Sequence, residues 1–244
     1  MSRTSFRLAM GAALVALLVL LGLGTWQMER RAWKEDLVAM VRARTAQAPS
    51  PVPARSHWAD LTQVRDEYRP VFVTGTFDHA RETLIYAVLS DARGPYHGPG
   101  YWVITPLVLA DGAVVLINRG FVPLDGRDPA SRLAGQVEGP VTVTGLLRFA
   151  EDPSWFVPDN DPARNAWYRR IPSQIASARG FSDAAPFLID ADATPNPGGL
   201  PIGGETRLSF PNRHLEYALT WYGLAATLVG VCVAFAIARR HGRT

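Results

Sequence analysis

The sequence predicts a membrane protein with two transmembrane α-helices, N- and C-terminal, flanking an α+β, mainly antiparallel β, extramembrane domain. Three observations lead there. Apolar residues make up 48% of the 244, an ordinary share for a soluble domain, yet they pile up in two uncharged runs near the chain ends. Between the runs, short β-like segments recur at intervals of about 10–15 residues, separated by Gly, Pro and Asp. Basic residues cluster just outside both runs.

The first run, Leu8 to Trp26, reads LAMGAALVALLVLLGLGTW. At 1.5 Å per residue it extends roughly 28 Å, close to the hydrocarbon thickness of a bilayer. A secretory signal has a shorter apolar core followed by a small-x-small cleavage site. Here the run is longer and ends in Gly24-Thr25-Trp26 before charged residues, so residues 8–26 are expected to remain as a span. Residues 27–55 are expected to form a helical extension and linker. Trp33, Leu37, Met40 and Val41 keep helical spacing, and three prolines between Gln47 and Pro53 break it.

Residues 56–211 are expected to form the β-rich domain. Arg69–Phe77, Glu82–Leu89, Gly100–Leu109, Ala113–Asn118 and Pro140–Phe149 read as strands, and Phe187–Asp190 as a short one. Asp111-Gly112 between two apolar runs is a two-residue hairpin signal. Asn165–Ala178 carries the best helical pattern, and the Gly/Pro-rich stretch Asp192–Glu205 reads as a loop. Short turns and few helices favour an antiparallel sheet or small barrel over βαβ units.

The last run, Tyr217 to Ala238, predicts the second span at 217–238, with Trp221 and Tyr222 near one end as interfacial anchors. Arg3 and Arg7 precede the first run and Arg239, Arg240 and Arg243 follow the last. Arg30, Arg31 and Lys34, just past the first span, weigh the other way. The balance favours both termini in the cytoplasm. The domain is then expected in the periplasm of a bacterium or the intermembrane space of a mitochondrion. The lack of an Arg/Ser-rich transit segment favours a multi-pass protein of the bacterial inner membrane.

Lys and Arg number 25 against 22 Asp and Glu, a net charge of +3. Setting aside the five terminal arginines leaves 20 basic residues against 22 acidic. The domain therefore has no basic excess for nucleic acid. Cys232 is the only cysteine, which excludes an intramolecular disulfide and a cysteine metal cage.

The chain carries none of the G-x-S-x-G, H-E-x-x-H or P-loop signatures, and no enzymatic activity is expected. Glu151, Asp152, Asp159 and Asp161 gather near Trp155 and Trp167. Paired carboxylates serve glycoside hydrolysis, but acids beside Pro and Asn are more often turn formers and caps. His57, His79 and His97 lack ligand spacing. His214 stands out, because Asn212 is a candidate N-cap that would place it in the first turn of the second span. There it shares a face with Tyr217, Ala218 and Trp221. Such an imidazole could ligate a haem iron or simply anchor the helix at the interface. Asn118-Arg119-Gly120-Phe121-Val122-Pro123 reads as a strand end turning at Gly120. Its Arg119 is suited either to clamp a carboxylate or to pair with a neighbouring acid.

Taken together, Gly24-Thr25-Trp26-Gln27 followed by Arg30, Trp33 and Lys34, then Gly75-Thr76-Phe77, Thr105-Pro106-Leu107, Asn118 to Pro123, Asn165-Ala166-Trp167-Tyr168 and Asn212 to Trp221 resemble the surfeit locus protein 1 family of cytochrome c oxidase assembly factors. The resemblance spans about residues 20–240. Phe121 stands where the family commonly has Trp, and Arg170 where many members have an acid. The resemblance implies help in maturing subunit I of a haem-copper oxidase in the respiratory chain. It also implies binding of haem a through the histidine at the second span, here His214. Together with the helix placement, the candidate cofactor site is His214 on the iron, with Tyr217 and Trp221 beside it. Arg119 is then available for a propionate or a partner carboxylate. The implied partners are cytochrome c oxidase subunit I, haem a synthase and membrane lipid, with no nucleic acid. The alternative is a scaffold for oxidase subunits or haem synthase that binds no haem.

Overall fold

The structure, a computed structural model, describes residues 3–90, 92–206, 208 and 211–241. In chain order its elements are α1 (Arg3–Thr45), β1 (Ser50–Pro51), α2 (Gln63–Asp66), β2 (Pro70–Phe77), β3 (Thr83–Leu89), β4 (Gly98–Val108), β5 (Val114–Pro123), β6 (Pro140–Arg148), α3 (Pro172–Ala178), β7 (Ala184–Ala191) and α4 (His214–His241). They form two compact units, a helical one from the chain ends up to Val41 and from Ser209, and a β unit from Arg42 to Leu208.

In the helical unit, α1 and α4 are each long and apolar enough to cross a membrane. Only 6% of the most apolar window of each is buried. Leu14, Leu18, Leu219, Val231 and Ile237 stand exposed, whereas the core helix of a soluble protein would cover them. The helices pair antiparallel, with Phe6 stacked on Phe235 at 6.0 Å near one end and Gly24 under Tyr222 near the other.

The β unit is a seven-stranded sheet in the order β1-β2-β6-β7-β5-β4-β3, and a short β2–β4 pairing at Thr76–Val108 and Phe77–Leu107 joins it to itself. The strands β2, β6, β7, β5 and β4 thereby close into a small barrel, and all pairings except β1–β2 and β5–β7 are antiparallel. Val71, Val73, Leu107, Val115, Ile117 and Phe187 are among the residues that fill its inside. Outside, Ile85, Ile104, Leu116, Trp167, Ile175 and Leu188 form a second layer that includes α3. β5 is thus covered on both faces, which is why Val114–Ile117 reads as an unbroken apolar run rather than an alternation.

Three expectations change. The helix expected over Asn165–Ala178 begins only at Pro172. Asn165 adopts left-handed backbone at φ 52°, and the Trp167 carbonyl accepts from the Tyr86 N–H at 2.9 Å, so this stretch lies along β3. The expected strand end at Asn118–Gly120 lies inside β5, which continues to Pro123 through Gly120 at φ +126°. Within the expected linker, Ser50 and Pro51 pair parallel with Val71 and Phe72.

Candidate functional site

Where α1 meets α4, the residues just past the first apolar run face the start of the second. Gly24 is buried against the Tyr222 ring, where an added Cβ would lie 2.5 Å from Cε1. The absence of a side chain sets how closely the helices approach. One residue on, the Thr25 and Tyr222 hydroxyls are 3.3 Å apart. His214 Nδ1 is 2.7 Å from Gln27 Oε1, and the Asn212 side chain donates to the Arg31 carbonyl at 3.4 Å.

The Gln27 contact decides what His214 can do. With the carboxamide oxygen as acceptor, the tautomer that makes this bond is the one with its proton on Nδ1. In the neutral ring Nε2 then keeps its lone pair, the arrangement of a histidine oriented to ligate a metal through Nε2. His214 is the first residue of α4, and its own N–H lies 3.4 Å from the Asn212 side-chain oxygen. The first intrahelical bond runs from the Tyr217 N–H to the Arg213 carbonyl, so Arg213 is the N-cap and Asn212, expected there, stands one residue before it. Of the residues expected on the same face, Ala218 is buried, Trp221 is half-buried and Tyr217 is exposed. Gln27 was visible in the sequence only as one letter of a motif. The partnership across 187 positions had no local signal.

Arg119, the fourth expected site residue, belongs to the β unit. It is 2% exposed and its Nη2 donates to the Gly135 carbonyl and, at 3.0 Å, to Asn196. Its guanidinium lies 4.8 Å from the centre of the Phe77 ring. Burial, reinforced by nearby Arg132 and only partly offset by Glu82, lowers its pKa to about 10, still cationic at neutral pH.

The β unit also holds a polar centre that the sequence did not disclose. Asp190, on β7, is buried and accepts from Arg148 at 3.1 Å, Arg170 at 3.0 Å, Asn118 at 2.8 Å and Thr206 at 3.0 Å. Glu67 pairs with Arg148 at 3.1 Å and Glu151 with Arg170 at 2.6 Å, extending the network on both sides. Arg170 is thus held between two carboxylates. Burial opposes its charge, but Asp190 and Glu151 more than offset this and raise its pKa above the usual arginine range. For Asp190 burial favours the neutral form, yet Arg170 and Arg148 prevail and hold its carboxyl below the ordinary range. A carboxyl with a lower pKa in the folded state stabilises the fold above its unfolded pKa of about 3.9, and loses that contribution as pH falls through its folded value. The melting temperature is accordingly expected to stay level from neutral pH to about pH 5 and to fall below about pH 4. Replacing Asp190 by Asn should flatten that acid limb, and scanning calorimetry across pH checks both.

The acidic cluster beside Trp155 has structural partners. Glu151 pairs with Arg170, Asp159 with Arg169 and Asp161 with Arg164, and Asp161 also caps the following 3-10 turn. His57 and His97 are exposed, and His79 Nε2 lies 2.9 Å from the Val137 carbonyl.

A model of the SURF1 family matches residues 14–226, a range that takes in the whole β unit, most of α1 and the first half of α4. The chain belongs to the SURF1 family. Relatives agree along the same length. A SURF1-like protein of Monosiga brevicollis is 43% identical, over 88% of this chain and 82% of its own. Surfeit locus protein 1 of Homo sapiens is 41% identical, over 84% of this chain and 70% of its own. The Mus musculus protein of that name is 42% identical, over 84% and 68%. Of the motif residues that carried the resemblance, Gln27 and His214 meet where α1 meets α4.

Proposed function

We propose that this protein is an assembly factor for cytochrome c oxidase that holds haem a at the α1–α4 pair and passes it to subunit I. His214 Nε2 is the iron ligand in this reading, Gln27 fixes the ring, and Trp221 and Tyr217 offer apolar surface to the macrocycle. The observation that carries it is the 2.7 Å contact between His214 Nδ1 and Gln27 Oε1, which leaves the other ring nitrogen as a donor to metal. A single protein ligand suits a carrier, since a second would slow release. The role needs binding and hand-over rather than turnover. Membrane placement follows the basic flanks, with the protein in a bacterial inner membrane, both termini cytoplasmic and the β unit in the periplasm. Haem a synthase is then the donor partner and subunit I the acceptor.

The test uses full-length protein purified in detergent from cells that make haem a. The wild type should carry the absorption bands of haem a, and His214→Ala should lack them while keeping its circular dichroism. Gln27→Leu should weaken haem affinity about 10–100-fold, the usual cost of removing a partner that orients a histidine ligand. Equal haem in the wild type and His214→Ala would overturn the ligand assignment. A folded wild type free of haem would overturn the carrier role and leave a scaffold for oxidase subunits.

A further inference from the structure

Among the described residues of the β unit, three arginines are buried, and they are not alike. Arg132 is paired with Glu82, with Nη1 to Oε2 at 3.2 Å, and Arg169 is paired with Asp159. Arg119 has no carboxylate partner among the described residues, and its Nη1 is buried without a hydrogen-bond acceptor. A guanidinium withdrawn from water without a carboxylate paired to it is costly, and folds rarely retain one without a use for it.

Arg119 lines a cavity of about 170 Å³ at the barrel, with walls that include Phe77, Ile117, Val141, Val143, Thr194 and Asn196. Openings of small barrels are recurrent ligand sites, apolar in lining with a few convergent polar groups. Asp192 is on the cavity wall too, but its Oδ1 accepts from the Thr194 N–H at 2.9 Å and it forms no ion pair with Arg119. The size is restrictive, since a cavity of about 150 Å³ takes a benzene ring and little more. A short carboxylate arm fits, and a macrocycle does not.

We propose that this cavity is a carboxylate-binding site, in which Arg119 receives the carboxylate of a short acidic arm while Phe77, Ile117 and Val143 enclose its methylenes. The carboxylate comes either from a free small acid or from an acidic side chain of a partner protein. The site stands on Arg119 and its cavity alone and does not depend on whether His214 holds haem.

Thermal melts of the full-length protein in detergent, at matched ionic strength, test it with propionate, its uncharged isostere propionamide, and chloride. Propionate should raise the melting temperature saturably, by about 3–6 °C at tenfold excess over its Kd. Propionamide and chloride should leave it unchanged, and Arg119→Met should abolish the response. A capped Gly-Glu-Gly tripeptide acting at tenfold lower concentration than propionate assigns the carboxylate to a protein side chain; equal or weaker action assigns it to a free acid. The propionate–propionamide comparison needs only the wild type, so a poorly folding variant does not remove the test. No saturable shift with either acid, or equal shifts with propionate and propionamide, would overturn the proposal.

Discussion

Asp190→Asn should lower the melting temperature of the β unit by about 10 °C or more, with little change in any property of the helical unit. Asp190 sits at 2% exposure between Arg148 and Arg170, and each arginine has one further carboxylate partner, Glu67 or Glu151. Asparagine preserves shape and can still bond to Asn118 and Thr206. It removes the one negative charge shared by two largely buried cations. Breaking a buried ion pair from one side costs about 3–5 kcal/mol, because the remaining charge stays desolvated. For a unit of this size each kcal/mol moves the midpoint by about 2–4 °C. Glu67→Gln, nearer the surface, should cost only a few degrees. An Asp190→Asn midpoint within 3 °C of the wild type, roughly the effect of one surface pair, would show that Glu67 and Glu151 suffice and that the network is redundant.

That network explains why some of this protein was legible in its sequence and some was not. Period-two patterns revealed Pro70–Phe77 and Pro140–Arg148, because these strands have one face in the barrel and the other toward solvent. The two membrane-length helices were readable because lipid-length apolar runs need no tertiary knowledge. The place of His214 at the start of the second long helix was readable because the apolar run begins within a turn of it. The pairings of Asp190, by contrast, join β7 to residues 16 to 72 positions away. Gln27 and His214 meet only because two helices at opposite ends of the chain pack together. Local pattern also misled at Asn165–Ile171, where helix-compatible residues spend their backbone groups on Glu151, Asn160 and Asp161 and one on β3, and Trp167 fills the outer core. It misled again at Arg119, whose polar side chain and following glycine resemble a turn. The strand continues instead, and the arginine faces inward.

Gly120→Val should be the most damaging substitution next to that arginine, costing about 3–5 kcal/mol. The backbone at Gly120 has φ +126°, a region closed to β-branched residues without strain. A Cβ there would also stand 1.9 Å from the Ile202 carbonyl oxygen and 2.6 Å from the Gly203 nitrogen, so no rotamer relieves the clash. The reason for the close approach lies one residue on. Phe121 and Ile202 exchange two backbone hydrogen bonds of 2.9 Å each, which fasten the segment after β7 to β5. That segment includes Asn196 and Pro197, which form part of the wall of the Arg119 cavity, and Asn196 is one of the acceptors that holds the guanidinium. Forcing β5 and Ile202 apart therefore acts twice, on the stability of the barrel and on the wall that keeps Arg119 out of water. Gly120→Ala should be milder yet still lose several degrees. It should also speed amide exchange at Phe121 and Ile202, measured by hydrogen–deuterium exchange, more than at Val71 or Val73 in the far strand. Uniform exchange across all four amides would mean that the glycine serves only the global stability of the sheet. Faster exchange confined to Phe121, Ile202 and the 196–203 segment would show that Gly120 keeps the arginine enclosed.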